Sequence, residues 1–228
     1  MTYGEVRRAV FIERPNRFIA VCELDGEAVS AHVKNTGRCR ELLIKGVTVI
    51  LEKSANPDRK TKWSLICVYK GDKLINMDSQ APNTVVAEAI QNGAIKMPDG
   101  AFSIAREKTF GDSRFDIMFA GEDGRPVGYL EVKGVTLERG GVAYFPDAPT
   151  ERGAKHVREL ERAAEEGYFA MIVFLVQMKG CEAMRPNDET HRAFGDALRS
   201  AKHVRIAAFE SDITEHSIDI GREIRVEL

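Results

Sequence analysis

The sequence predicts a mixed α/β fold in which a small β-barrel precedes an α/β domain. Short β-like runs separated by turn residues fill residues 1–80. Beyond them, amphipathic helical patterns alternate with apolar β-like runs. The charge balance also changes, from 14 Lys and Arg against 10 Asp and Glu in residues 1–80 to 19 against 25 in the remainder. We therefore expect two domains, residues 1–80 and 81–228.

The composition is that of a globular protein. The 228 residues are 43% hydrophobic and 30% charged, which allows a sizeable core. No apolar run reaches the roughly 18 residues of a membrane helix, and MTYGEVRRAV lacks the apolar region of a signal peptide. We expect a cytoplasmic protein without a membrane partner. The four widely spaced cysteines form no C-x-x-C pair, which argues against a zinc cluster or a disulfide framework.

The N-terminal half reads as a barrel. Turn signals such as Asp-Gly and Asn-Pro-Asp separate five β-like runs: RFIAVCEL, EAVSAHVK, GVTVILEKS, KWSLICVYK and KLINMDS. A brief helical pattern, RCRELLI, interrupts them. Several short strands with one helical insert favour a five-stranded barrel of the oligonucleotide-binding (OB) type.

The C-terminal half reads as helices packed on a sheet. A helix over 84–92 precedes β-like runs near 101–109, 113–120, 127–137 and 141–146. A longer helix is expected over 151–167, with Thr150 as its cap and an apolar stripe that includes Val157 and Leu160. The apolar run MIVFLVQ predicts a central strand, and a helix over 191–202 and the strand VRIAAFE follow.

Charged residues inside two of these apolar strands are candidates for a metal-binding site. Asp116 lies between Phe115 and Ile117, and 15 residues later Glu131 and Lys133 flank a valine. Alternation along a strand places Glu131 and Lys133 on one face, where Asp116 from the neighbouring strand can join them. Two carboxylates repel each other unless a cation lies between them, and oxygen ligands suit Mg²⁺ or Mn²⁺. A solvated Glu–Lys pair at a sheet edge is the plainer alternative.

Longer motifs resemble a known family. FPDAPTERGAKHVREL after EVKGVTL, with HVKNTGRCRELL and NPDRKTKW earlier, closely resembles the sugar fermentation stimulation protein A family over nearly the whole chain. The resemblance implies an OB-type barrel followed by a restriction-endonuclease-like domain of the PD-(D/E)xK type. It also implies DNA binding and a regulatory role in sugar (maltose) metabolism.

The resemblance also implies site residues. The nuclease-like pattern falls on Asp116, Glu131 and Lys133 as catalytic residues. Asp116 and Glu131 would be metal ligands, with Glu88 on the preceding helix as a further carboxylate for Mg²⁺ or Mn²⁺. The expected activity is metal-dependent hydrolysis of phosphodiesters. The alternative is a DNA-binding regulator whose nuclease-like fold is catalytically silent.

Basic residues beside turns and at a helix start are candidate phosphate contacts. Arg38 and Arg40 begin the RCRELLI pattern, where a docked anion would offset their unfavourable position at a helix N-terminus. The full set is Arg14, Arg17, Arg38, Arg40, Arg59, Lys60, Arg152, Lys155 and His156. Solvated side chains are the alternative for each. Because these residues suit phosphate contacts, we expect largely sequence-independent binding of DNA, with RNA as a second candidate. Nothing in the sequence indicates an oligomeric state.

Overall fold

The computed structural model describes residues 1–35, 37 and 39–228, and in this part of the chain it contains fifteen strands and three helices. The strands of the first sheet are β1 (Val6–Asn16), β2 (Ile19–Leu24), β3 (Glu27–Val33), β4 (Thr48–Lys53), β5 (Trp63–Lys70) and β6 (Lys73–Asn76). The remaining strands are β7 (Ser103–Phe110), β8 (Ser113–Ala120), β9 (Pro126–Val135), β10 (Leu137–Arg139), β11 (Val142–Phe145), β12 (Phe169–Val176), β13 (Ala183–Pro186), β14 (Arg205–Ile213) and β15 (Ile218–Val226). The helices are α1 (Ala81–Gln91), α2 (Glu151–Glu165) and α3 (Asp188–Ser200).

The first sheet closes into a barrel. Its order is β3-β2-β1-β4-β5-β6, and parallel pairing of β3 with β5 joins the ends of a five-stranded barrel. Strand β1 was not among the predicted runs, because its arginines mask the alternation that buries Ala9 and Phe11. The predicted RCRELLI helix is wrong for its described residues. They form turns in which Cys39 O accepts hydrogen bonds from the amides of Leu42 and Leu43.

The second sheet has nine strands in the order β10-β11-β13-β15-β14-β12-β9-β8-β7. Parallel strands β9, β12 and β14 form its centre, as the continuous apolar run of β12 predicts. Helix α1 packs on one face of this sheet, and α2 and α3 pack on the other. Side chains therefore alternate along β9: Tyr129 faces the α2 side and Leu130 the α1 side.

Helix α2 follows the predicted pattern closely. The Thr150 hydroxyl accepts a hydrogen bond from the Gly153 amide at 3.1 Å, which caps the helix start. After the last helical residue, Gly167 adopts a positive φ of 94° and its amide bonds Ala164 O at 3.0 Å. Among the described residues, no helix is long and apolar enough to cross a bilayer.

A buried polar network joins the barrel to the nine-stranded sheet. Gln177, which directly follows β12, donates to Asn76 Oδ1 at 2.8 Å and to the Asp78 carbonyl at 3.1 Å. Asn76 donates in turn to the Tyr3 hydroxyl at 2.8 Å. The Asp78 carboxylate, fully buried, pairs with Lys34 Nζ at 2.6 Å. This network fixes the loop that leads into α1.

Candidate metal centre

The centre lies where strands β8 and β9 part. Their ladder ends at the pair Ile117↔Leu130, one residue short of Asp116. There Asp116 Oδ2 accepts a hydrogen bond from the Val132 amide at 2.8 Å, so the side chain replaces a ladder partner. Asp116 Oδ1 accepts a second hydrogen bond, from Asn83 Nδ2 on α1 at 2.7 Å. Strand β9 and helix α1 thus hold the carboxylate from two sides.

Glu131 occupies the facing position on β9 and is only 3% exposed. Its Oε1 lies 2.5 Å from Lys133 Nζ and 2.5 Å from His156 Nδ1. Its Oε2 is buried and has no hydrogen-bond partner. Because a buried acceptor without a partner carries an uncompensated desolvation cost, this oxygen is suited to an additional ligand.

The two carboxylates differ in their electrostatics. Burial, and then the charge of Glu131, raise the pKa of Asp116 to about 6, although Val132, Lys133 and Asn83 oppose the shift. Burial also acts to raise the pKa of Glu131. The hydrogen bond from His156 and the charge of Lys133 outweigh it and hold that pKa below its ordinary value. Glu131 is therefore ionised at neutral pH, and the charge on Asp116 is energetically costly beside it.

This donor set fits a hard divalent cation. Two carboxylates and one ammonium leave excess negative charge, and the unpartnered Glu131 Oε2 provides an oxygen ligand. Among residues 1–35, 37 and 39–228, no group of three or more His, Cys, Asp or Glu residues is placed to hold a metal. Asp116 and Glu131 are two carboxylates, a number that suits Mg²⁺, which usually keeps several waters.

Glu88 is not brought to these carboxylates, which corrects the expectation of a third metal ligand. Its Oε2 pairs with the amino group of Met1 at 2.7 Å, and the same amino group pairs with Asp219 on β15 at 2.6 Å. Strand β15 is four places from β8 in the sheet, a separation of about 19 Å at the usual strand spacing. Glu88 and Asn83 lie five residues apart on α1, so their side chains point in different directions.

His156 also differs from its expected role as a phosphate contact. The side chain is 5% exposed and lies against Glu131, so it cannot reach a nucleic-acid backbone. The reason is helical geometry. His156 precedes Leu160 by four residues and therefore shares the buried face of α2.

Two of the candidate phosphate contacts hydrogen-bond within the barrel. Arg14 donates to three backbone carbonyls, those of Gly37, Arg17 and Asn35, at 2.7–2.9 Å. Arg59 Nη1 donates to Ser64 Oγ at 2.9 Å. These arginines hold the loops that carry them, because their donors are directed at the protein itself.

Other candidates are exposed. On the barrel, these are Arg17, Arg40 and Lys60. On the first turns of α2, they are Arg152 and Lys155, and Lys155 Nζ donates to the Asp112 carbonyl at 3.1 Å. The α2 pair is next to the centre, because His156 on the same turns contacts Glu131. Arg38 lies outside the described residues.

Sequence reasoning missed Asn83 and did not foresee the contact that Arg152, a candidate phosphate contact, makes at the centre. Asn83 lies just before the predicted start of α1, but the helix begins at Ala81 and so carries the amide to Asp116. Arg152 donates through Nε to His156 Nε2 at 3.3 Å rather than facing only solvent. The spacing of His156 to Leu160 could have indicated a buried histidine, whereas no sequence pattern marks Asn83.

Comparison with known proteins gives the family. Residues 80–217 match the model of the sugar fermentation stimulation protein RE domain, and residues 12–77 match that of the SfsA N-terminal OB domain. The chain belongs to the sugar fermentation stimulation protein family. These matches confirm the predicted fold class of an OB-type barrel followed by a restriction-endonuclease-like α/β domain.

Relatives and a solved structure match along nearly the whole chain. The sugar fermentation stimulation protein homolog of Desulfitobacterium hafniense strain Y51 is 52% identical over 100% of this chain and 99% of its own. The homolog of Clostridium acetobutylicum is 50% identical over 96% of each chain. The structure of Pyrococcus furiosus SfsA in complex with Ca²⁺ is 26% identical and has a TM-score of 0.88, covering 100% of this chain and 98% of that one.

Proposed function

We propose that this chain binds nucleic acid and hydrolyses phosphodiesters at a divalent-cation site formed by Asp116 and Glu131. In this proposal, residues 1–80 form a nucleic-acid-binding domain and residues 81–228 the domain that carries the site. The observation that carries it is the buried, unpartnered Glu131 Oε2 beside an Asp116 whose pKa is raised by burial and by Glu131. The Ca²⁺ complex of the Pyrococcus furiosus relative supports a cation in this fold.

Each residue of the centre would have its own role in this reaction. Asp116 and Glu131 Oε2 would hold Mg²⁺ or Mn²⁺, and Val132 and Asn83 orient Asp116 for this role. A bound cation would polarise the phosphodiester and activate a water. Lys133, whose side chain is 15% exposed, lies beside the carboxylates and would stabilise charge on the phosphate or hold a water.

Nucleic-acid binding would be mainly electrostatic. The exposed cations of the barrel, Arg17, Arg40 and Lys60, and Lys155 next to the centre, are suited to phosphate contacts. Such contacts carry no sequence information and weaken as salt rises. DNA is the expected partner, and RNA presents the same phosphates.

A second candidate function is a DNA-binding regulator without catalysis. Two observations favour it: Glu88 is occupied by the amino terminus, and Lys133 is bound to Glu131 rather than open to a substrate. In this alternative, the polar cluster in β8 and β9 is a remnant that serves only the fold.

Incubation of purified protein with single- and double-stranded DNA, and with RNA, in Mg²⁺ or Mn²⁺ separates the two functions. We expect metal-dependent cleavage by the wild type and by Glu88→Gln, and none by Asp116→Asn, which keeps nucleic-acid binding. Cleavage by Asp116→Asn at the wild-type rate would indicate a contaminating nuclease. Binding without cleavage or cation binding under any condition would favour the silent regulator.

A further inference from the structure

The imidazole of His156 lies between Glu131 and Arg152. Its Nδ1 is 2.5 Å from Glu131 Oε1, and its Nε2 accepts a hydrogen bond from Arg152 Nε at 3.3 Å. The ring of Phe115 packs edge-on against it, with the ring centroids 5.9 Å apart. Hydrogen bonds on two sides and an aromatic ring on a third therefore fix the orientation of the imidazole.

The two hydrogen bonds also select one tautomer of the neutral imidazole. A guanidinium has donors and no acceptor, so His156 Nε2 must be the acceptor in its bond with Arg152. In the neutral imidazole, the proton is then on Nδ1, from which it is donated to Glu131 Oε1. Arg152 is exposed, yet through this bond it influences a carboxylate that is almost fully buried.

The contacts of His156 and Lys133 determine which oxygen of Glu131 is left without a hydrogen-bond partner. His156 and Lys133 both bond Oε1, which leaves Oε2 as the oxygen without a partner. Lys133 belongs to the same strand as Glu131, whereas His156 approaches from α2. The histidine therefore ties the carboxylate to the helix that packs on β9 and limits its rotation.

We propose that His156 is a positioning residue, which orients Glu131 so that Oε2 faces the cation, and that Arg152 sets the tautomer in which it does so. This role rests on the proposed function, because it presumes a cation at Glu131. It resembles the way in which outer partners orient metal-binding side chains in other proteins, where their loss costs about 10- to 100-fold in metal affinity.

Mn²⁺ binding to the full-length chain, measured by calorimetry, tests the role. His156→Ala should weaken Mn²⁺ binding about 10- to 100-fold. His156→Asn should restore binding to within about threefold of the wild type, because the Asn amide places an N–H close to the position of Nδ1–H. His191→Ala is the matched control, since His191 pairs with the exposed Glu151 at 2.9 Å, and it should bind Mn²⁺ as the wild type does.

The tautomer of His156 can be measured in the metal-free wild type. This test therefore depends neither on a bound cation nor on whether a His156 variant folds. In ¹⁵N NMR of the metal-free wild type at pH 7.5, His156 should show a protonated Nδ1 and an unprotonated Nε2. Arg152→Ala should introduce the other tautomer into the spectrum. A protonated Nε2 in the wild type would overturn the proposed arrangement.

The possible failures are distinguishable. If the wild type binds no Mn²⁺, the proposed function fails and the positioning role fails with it. If the wild type binds Mn²⁺ and folded His156→Ala binds it equally well, only the positioning role is wrong. Equal losses in His156→Ala and His156→Asn would also overturn it, since packing rather than the N–H donor would then matter.

Discussion

Two buried carboxylates, Asp78 at the junction of the barrel and the sheet and Glu131 in the candidate metal centre, are bound in opposite ways. Asp78 uses both oxygens: Oδ2 pairs with Lys34 Nζ at 2.6 Å and Oδ1 accepts from the Gln80 amide at 2.9 Å. Glu131 receives two donors on Oε1 and none on Oε2. Both lie almost fully out of water, at 0% and 3% exposure.

The difference distinguishes a structural carboxylate from the proposed metal ligand. A buried charge is tolerated when its lone pairs are occupied, and the Asp78 network meets this requirement within the protein. The Glu131 carboxylate meets it only in part, and Asp116 beside it adds repulsion. The Asp78 junction is complete without a further group, whereas a cation would complete the Glu131 centre.

The largest expected effect comes from breaking the complete network. Asp78→Ala leaves Lys34 without its anion and Gln80 without an acceptor, so we expect a loss of about 3 kcal/mol in the free energy of unfolding. Urea unfolding of the variant and the wild type measures this loss. Because the network holds no cation, Mn²⁺ should raise the melting temperature of both proteins equally. A loss below about 1 kcal/mol would mean that the network contributes little.

A smaller effect of opposite sign is expected at the metal centre. Without metal, Asp116→Asn should raise the free energy of unfolding by about 2 kcal/mol at pH 8. The raised pKa corresponds to a cost of about 3 kcal/mol for the charged carboxylate. About 1 kcal/mol of this gain is offset because Asn has one acceptor oxygen for the two hydrogen bonds that Asp116 accepts. The pKa of Asp116 is about 6 in the folded chain and 3.8 when unperturbed. As the pH falls from 6 to 4, the folded wild type takes up a proton before the unfolded chain does.

The wild type therefore gains stability relative to the variant over this pH range, and the difference between them should fade by about pH 4. Chemical unfolding of both proteins at pH 4, 6 and 8 in the presence of a chelator checks the trend. A variant that is less stable than the wild type at pH 8 would show that Asp116 serves the fold, as Asp78 does.

The smallest effect is expected at the surface. Lys155→Ala should weaken DNA binding only a few-fold, uniformly across sequences, and lower the slope of log affinity against log salt by about 1. Lys202→Ala, an exposed lysine beyond the end of α3, is the matched control and should change neither quantity. Fluorescence anisotropy titrations over a range of salt concentrations measure both. Equal effects of the two substitutions would assign DNA binding to another surface.

Much of this fold could be predicted from the sequence, because local patterns determine most of it. The continuous apolar run of β12 and the capped amphipathic pattern of α2 both appear where expected. Strands β13 and β15 were missed, since β13 is four residues long and β15 alternates only weakly between buried and exposed positions. Their place in the sheet depends on pairing with distant strands rather than on local propensity.

The candidate metal centre could be predicted only in part, because some of its contacts also depend on packing between distant segments. Asp116, Glu131 and Lys133 stand out as charges in apolar strands, and the structure brings them together. The roles of Asn83 and His156 depend on how α1 and α2 pack against the sheet, which no local pattern specifies. In the sequence, Glu88 is a candidate for a third metal ligand. In the structure, its position on α1 directs the side chain to the amino group of Met1.

A divalent cation is proposed to bind between Asp116 and Glu131. Crystals of the wild type soaked with Mn²⁺ and measured at the manganese absorption edge test it directly. We predict an anomalous peak bonded to an Asp116 oxygen and to Glu131 Oε2, and none in Asp116→Asn. A fully soaked wild-type crystal without a peak at these oxygens, or with manganese only at another carboxylate pair such as Glu88 and Asp219, would contradict the claim.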